Sequence, residues 1–543
     1  MRVGVQFDAM GGSMDDIFIR GGTVIDGSNT PGIRADVAIR DGRIAAIGDD
    51  LTSGGVQVIE AAGKIVAPGF IDIKTHSDWT LPLMPHSESK IRQGVTTEVI
   101  GHCGYSCAPV LPGKIDLIKG YLSPSAPWLT FFETSYANYV ETYPETSVNR
   151  AMLVGHNTLR LMTMGLDDRP PEPHELELMK TLLEEALDSG AIGMSSGLFT
   201  APGSYAKGEE LVELGAILKR RGARYFTHLR DESNTVFDSV QEAIEFGERT
   251  GVHVQIVHIK LSGTDNWGGA QKMIDLLAEA RARGVAIDCD QYPYVAASNP
   301  LKNLFPAWLQ EGGIEPMLTR LGDADVRARI RREVEAEGLN NFGRIPDWDA
   351  IRISISPDQP DYAGRTITEI AAERGADGFE TALDYIVEDR GQTRVLVSSI
   401  SEDDVQTLVR SPDVMVGSDG NSVAPYGTTG QGKPHPRFYG TFAKVLGHYS
   451  RDLGLLPLHT AIYKMTGASA KSLGLTERGL LREGFQADVT VFDPNTIAER
   501  ATYLDPHQYA TGVEAVLVNG VKVLDHEEHS GATPGQFLKR RAG

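Results

Sequence analysis

Seven side chains able to hold a metal or move a proton follow short apolar runs along the chain: His76, Cys103, His156, His228, His258, Tyr292 and Asp419. In a parallel α/β barrel, functional side chains stand at the C-terminal ends of strands, and these seven fall where strand ends are expected. Neutral imidazole and thiolate suit a borderline-soft ion such as Zn2+, while a carboxylate can ligate or accept a proton. The chemistry open to such a set is metal-assisted hydrolysis.

The individual contexts carry unequal weight. Cys103 lies in Gly101-His102-Cys103-Gly104, after the run Thr96-Thr97-Glu98-Val99-Ile100. An isolated buried cysteine is most often an inert apolar residue, but flanking glycines and a strand-end position favour a metal thiolate. Cys107 and Cys289 lack that context and read as core. His228 ends Arg224-Tyr225-Phe226-Thr227, and His258 ends Val254-Gln255-Ile256-Val257, on successive strands. Asp419 sits in Val416-Gly417-Ser418-Asp419-Gly420, where it suits a base that takes a proton from water; the plainer reading is an Asx-turn residue. His102 and His156 read more naturally as structural histidines.

The elements that position these residues follow from periodicity. Helical stretches over Glu175 to Ser189, Glu209 to Arg221, Val240 to Thr250 and Ala270 to Arg283 alternate with apolar runs. This βα rhythm over 67–470 predicts a (β/α)8 TIM-like barrel, with a doubly wound open sheet as the alternative. Polar, Arg-rich sequence over about 299–358 breaks the rhythm and predicts an inserted subdomain. Residues 14–66 and 471–543 instead read as short strands and turns. Gly21-Gly22 would join two strands, and Asp41-Gly42 is a strong hairpin signal. The two ends are therefore expected to form one small β-sandwich, preceded by a disordered leader over residues 1–13.

The run Pro68-Gly69-Phe70-Ile71-Asp72-Ile73-Lys74-Thr75-His76 resembles the first-strand signature of the amidohydrolase superfamily, with Lys74 where the first of two histidines would stand. Adding Gly101-His102-Cys103-Gly104, Gly193-Met194-Ser195-Ser196-Gly197, Thr227-His228-Leu229-Arg230-Asp231-Glu232, Gly417-Ser418-Asp419-Gly420 and His435-Pro436-Arg437, the chain resembles the N-acyl-D-amino-acid deacylase (D-aminoacylase) branch over nearly its whole length.

The resemblance implies one tight zinc on Cys103, His228 and His258. It also implies a weaker second position using His76 and Asp419, with Asp419 as general acid/base. It further implies that Lys260, Tyr292 and Arg437 bind the substrate carboxylate. An ammonium is no ligand and repels a cation, so Lys74 points to a single zinc, with the lysine next to the reacting atoms or near the oxyanion. The expected reaction is hydrolysis of an N-acyl-D-amino acid to a carboxylate and a free D-amino acid. Alternatives are another amide (a dipeptide, cyclic amide or xenobiotic) or a non-catalytic binding protein.

Composition narrows the partners. A formal net charge of −21 argues against nucleic acid or an anionic membrane, and no apolar run approaches bilayer length. Three cysteines give no disulfide framework and fit a reducing, cytoplasmic compartment. A dehydrogenase is excluded because no G-x-G-x-x-G follows a strand at a helix start. A small-molecule amide is the expected partner.

Overall fold

A computed structural model of the chain describes residues 17–51, 57–126 and 128–540; the leader expected over 1–13 lies outside the described residues. Eight parallel strands form the central sheet: β1 (Phe70–Asp72), β2 (Val95–Ile100), β3 (Asn149–Gly155), β4 (Gly193–Gly197), β5 (Arg224–His228), β6 (Val254–Ile256), β7 (Ile287–Gln291) and β8 (Val414–Val416). Their spatial order is their chain order, without the reversal that defines a doubly wound sheet. All six residues of β2 and all seven of β3 are buried, as strands covered on both faces must be.

The circle closes just above β1 and β8. Thr75 bridges Gly420, the Asp419 amide donates to the Lys74 carbonyl (2.8 Å), and the His76 amide donates to the Gly420 carbonyl (2.9 Å).

The helices that return the chain have identifiable starts and stops. Pro173 opens the helix Pro173–Asp188, and the Glu175 carboxylate accepts from the Glu172 amide (2.7 Å), satisfying one donor that a helix start leaves free. Its residues Met179, Leu182, Leu183 and Ala186 recur at helical spacing and are buried. The helix Val236–Thr250 stops at Gly251, whose φ of +64° suits glycine.

Both chain ends meet in one nine-stranded sheet. Ile65–Pro68 pairs antiparallel with Val489–Phe492, and Ile19, Val37, Ile44, Val66, Val489 and Leu517 share one apolar cluster. Asp41 and Gly42, at φ +50° and +72°, make the expected tight turn between Ile33–Arg40 and Arg43–Gly48. Gly21-Gly22 does not turn the chain. It forms a bulge within a single strand, Ile17–Val24, where a Cβ on Gly22 would lie 2.5 Å from Val66.

The interruption expected over about 299–358 is the first part of a longer excursion between β7 and β8. Strands Ala296–Pro300, Ile351–Ile355 and Arg394–Ser398 make a separate antiparallel sheet with Arg394–Ser398 in the middle. Helices pack on it around Leu304, Phe305, Ile330, Ile353, Phe379 and Val395. No helix among the described residues is long and apolar enough to cross a membrane.

A buried polar network ties β1 to the loop after β8. Lys90 donates to Asp72 (2.7 Å) and to the Ser418 hydroxyl (2.6 Å), and the Ser418 amide donates to the other Asp72 oxygen (2.8 Å). Glu98 on β2 accepts from Ser77 and Ser422, so the loop that carries Asp419 is pinned on two sides. Removing one partner from a fully buried ion pair strands the other charge and costs about 3–5 kcal/mol. Lys90→Met is expected to lower the unfolding free energy by that order, read by denaturant titration, and adding Asp72→Leu to recover part of the loss.

Candidate active site

The predicted residues converge at the closed end of the barrel, and the local backbone explains how. Cys103 follows β2 with φ +56°, in a loop where a Cβ on Gly104 would lie 2.0 Å from Asn157. Ser195 on β4 staples that loop: its hydroxyl donates to the Gly101 carbonyl (2.5 Å) and accepts from the Gly104 amide (3.0 Å). His258 (φ +39°) is set by its own amide, which donates to Asp290 on β7 (2.8 Å). Asp419 (φ +51°) hangs from the Lys74 carbonyl. His228 ends β5 with its ring stacked on Phe199 at 4.1 Å.

Among the described residues, Cys103, His228 and His258 bring one ligand atom each within 4.8 Å of one another, all buried. The Cys103 sulfur stands 3.6 Å from His228 Nδ1 and 3.3 Å from His258 Nε2. A thiolate with two imidazoles fits zinc and leaves a fourth position for substrate or water.

His76 stands outside this trio. Its Nε2 lies 2.8 Å from Lys74 Nζ and 3.4 Å from Asp419, and its ring stacks on Trp79 at 4.5 Å. The fully buried Lys74 also pairs with the Asp419 carboxylate. The ammonium therefore lies between the two side chains that a second metal position would need.

Arg437, first residue of the helix Arg437–Lys444, reaches the other Asp419 oxygen at 2.9 Å. Its Nε and Nη1 and the Tyr292 hydroxyl are buried without a protein partner. The Arg437 guanidinium lies 4.8 Å from the Tyr292 ring centre and Lys260 Nζ 5.5 Å from it. Lys260 is not free, because its ammonium pairs with Glu232 and lies 2.9 Å from His258 Nδ1. His156 belongs elsewhere, 2.7 Å from Glu210.

Sequence reasoning missed Glu232. Its carboxylate lies 3.2 Å from His228 Nε2 and 3.1 Å from His258 Nδ1. Its position four residues after His228, in a motif already rich in charge, was the available signal. Asn341 was missed too, and nothing local marks it.

The electrostatics are those of a buried pocket rich in cations. Burial would raise the Asp419 carboxyl, but Arg437 and Lys74 outweigh it and hold it well below the usual range. Glu232 is likewise held low against its burial by His228, Lys260 and His258. Burial and then Lys260 push His258 well down, and burial lowers His228, so both rings are neutral near neutral pH. Burial pushes the Cys103 thiol up to about 12.

The family model described as "Amidohydrolase family" matches residues 57–524. The chain belongs to the amidohydrolase family. This amidohydrolase is 37% identical over 533 residues to D-aminoacylase of Alcaligenes xylosoxydans xylosoxydans, spanning 97% of this chain and 98% of that protein. It superposes with a TM-score of 0.81 on a D-aminoacylase structure concerned with a binuclear metal center, one-metal activation and second-metal attenuation. That match is 36% identical and covers 97% of this chain and 100% of the other. It superposes equally well, at 0.81, on N-acyl-D-glutamate deacylase of Bordetella bronchiseptica complexed with zinc and a phosphonate mimic of the tetrahedral intermediate. Identity there is 33%, with 97% of this chain and 100% of the other covered.

The thiol and ring states fix the sign of a pH dependence. With both histidines already neutral, binding a metal releases one proton, from Cys103. Zinc affinity in chelator competition is expected to rise about tenfold per pH unit between about pH 7 and pH 8. A flat profile in that range would rule out the thiol as a ligand.

Proposed function

We propose that this amidohydrolase is a zinc-dependent N-acyl-D-amino-acid deacylase that releases a carboxylate and a free D-amino acid. The observation that carries the reading is one carboxylate, Asp419, beside the Cys103–His228–His258 trio, with Tyr292 and Arg437 offering unpartnered buried donors close by. The D-aminoacylase and N-acyl-D-glutamate deacylase relatives support it over most of the chain.

Cys103, His228 and His258 would hold the zinc ion, which when bound supplies Lewis acidity toward the amide carbonyl and the attacking water. The remaining work falls to the chain. Arg437 Nε and Nη1, the Tyr292 hydroxyl and the Lys260 protons not directed at Glu232 receive the substrate carboxylate, for which the arginine fork is suited. Drawing Arg437 toward the substrate relieves Asp419 of one of its two cations and frees an oxygen. Asp419 then takes a proton from water as the carbonyl carbon is attacked and returns it to the leaving nitrogen as the C–N bond breaks. Three cations (Lys74, Lys260 and Arg437) against two carboxylates (Asp419 and Glu232) favour an anionic substrate over a neutral amide.

We also infer one zinc per chain. The Lys74 ammonium lies against both His76 and Asp419, and a second cation there would meet it directly. Three free cysteines support the cytoplasmic assignment. The cluster shared by the two chain ends supports treating 14–66 plus 471–543 as one domain beside the 67–470 barrel.

Zinc-loaded protein is expected to hydrolyse N-acetyl or N-formyl D-amino acids but not their L forms, with activity lost after chelation. Absence of turnover on every D substrate by protein holding zinc would sink this substrate class. Asp419→Asn is expected to lower kcat by roughly 10²–10⁴-fold, the usual contribution of a general acid/base. By elemental analysis, the wild type should carry one zinc equivalent and Lys74→His should approach two; an unchanged count in Lys74→His would reject the role given to the lysine.

A further inference from the structure

The barrel's metal-binding trio makes a contact with the inserted layer that the reaction does not use. Asn341 lies in that layer, buried and at φ +64°. Its Oδ1 accepts from the Glu232 amide (2.8 Å), which fixes the amide's orientation, and its Nδ2 donates to Glu232 Oε2 (3.0 Å). Nδ2 also lies 3.3 Å from His228 Nε2. When His228 Nε2 carries the hydrogen directed at Glu232 it cannot accept from Nδ2, and this contact then adds no hydrogen bond.

Glu232 itself is the hub. Its Oε2 faces His228 Nε2, and its Oε1 faces His258 Nδ1 and Lys260 Nζ. Glu232 takes the Lys260 ammonium and Asn341 Nδ2 as donors, so it faces both rings as an acceptor. In the metal-ligating tautomer both outer ring nitrogens then carry the hydrogen, and the 2.9 Å approach of Lys260 Nζ to His258 Nδ1 adds no further bond. The bare nitrogens are then His228 Nδ1 and His258 Nε2, the two that face the Cys103 sulfur. One carboxylate sets both tautomers, and one amide from a different layer sets the carboxylate.

We infer that Glu232 and Asn341 are positioning residues for the metal site, and that Asn341 makes metal affinity depend on docking of the inserted layer. The inference rests on the reading of Cys103, His228 and His258 as zinc ligands. Groups that orient a metal-ligating histidine typically contribute about 10–100-fold to metal affinity.

The test is zinc affinity by chelator competition, together with the Co2+ absorption spectrum, on the full chain. Glu232→Gln, which cannot accept from both rings at once, is expected to weaken zinc binding by about 10–100-fold and to shift the Co2+ bands. Asn341→Ala should weaken it by about tenfold. Asn341→Asp keeps the acceptor for the Glu232 amide but sets a like charge against Glu232, so it should bind zinc more weakly than Asn341→Ala. Metal-free circular dichroism and melting temperature screen for misfolding, and a variant that fails them is replaced by the milder Asn341→Ser.

Wild-type affinity and wild-type Co2+ bands in folded Glu232→Gln and Asn341 variants would overturn the inference. Cys103→Ala separates this from failure of the zinc reading. If Cys103→Ala binds zinc as tightly as wild type, the ligand assignment is wrong; if it loses zinc while the Glu232 and Asn341 variants do not, only the positioning role is wrong.

Discussion

One buried carboxylate between two cations organises this protein. Asp419 receives Lys74 on one oxygen and Arg437 on the other, and it stands where the last barrel strand returns to the first. An isolated ion at that depth would be prohibitively costly, and each partner is tolerable only because the others are present. The backbone bonds that close the barrel run through the same residues, from Asp419 to Lys74 and from His76 to Gly420. Structural closure and the reactive carboxylate therefore share one set of atoms.

Around that point the site is built under strain. Cys103, His258 and Asp419 all have positive φ, a region that residues other than glycine enter at a cost of roughly 1–3 kcal/mol each. Each is held by a neighbour specific to it: Ser195 staples the cysteine loop, Asp290 holds the His258 amide, and the Lys74 carbonyl holds Asp419. The strain turns three side chains toward one volume that regular strand ends would leave pointing apart. The Lys90–Asp72–Ser418 network stiffens the loop bearing Asp419 from behind.

Much of this was legible in the sequence, because a buried parallel strand is an uninterrupted apolar run and the residue after it is exposed to the active site. Cys103, His228, His258 and Asp419 could be read in that way, as could the expected strand Arg224–His228. Gly21-Gly22 misled because a glycine pair serves a bulge as well as a turn, and only pairing of Gly22 with Ala35 and the close approach of Val66 decide between them. The extra layer extends to Arg394–Ser398, because its last strand has the same apolar pattern as a barrel strand and differs only in what it pairs with. Asn341 reaches Glu232 from 109 positions away, and no local pattern encodes such a contact.

The meeting of the two chain ends in one sheet has a consequence for how the molecule is made. Lys64 joins Asp493 at a sequence separation of 429, and the strand leading into β1 finds its antiparallel partner only at Val489–Phe492. The opening strands pair with one another, but during synthesis one edge of Ile65–Pro68 must wait until Val489–Phe492 has left the ribosome. Pairings of such high sequence separation are slow to form and expose the nascent chain to aggregation. Yield of native protein should therefore depend on chaperone supply and on an intact C-terminal strand set more than on the stability of the finished barrel.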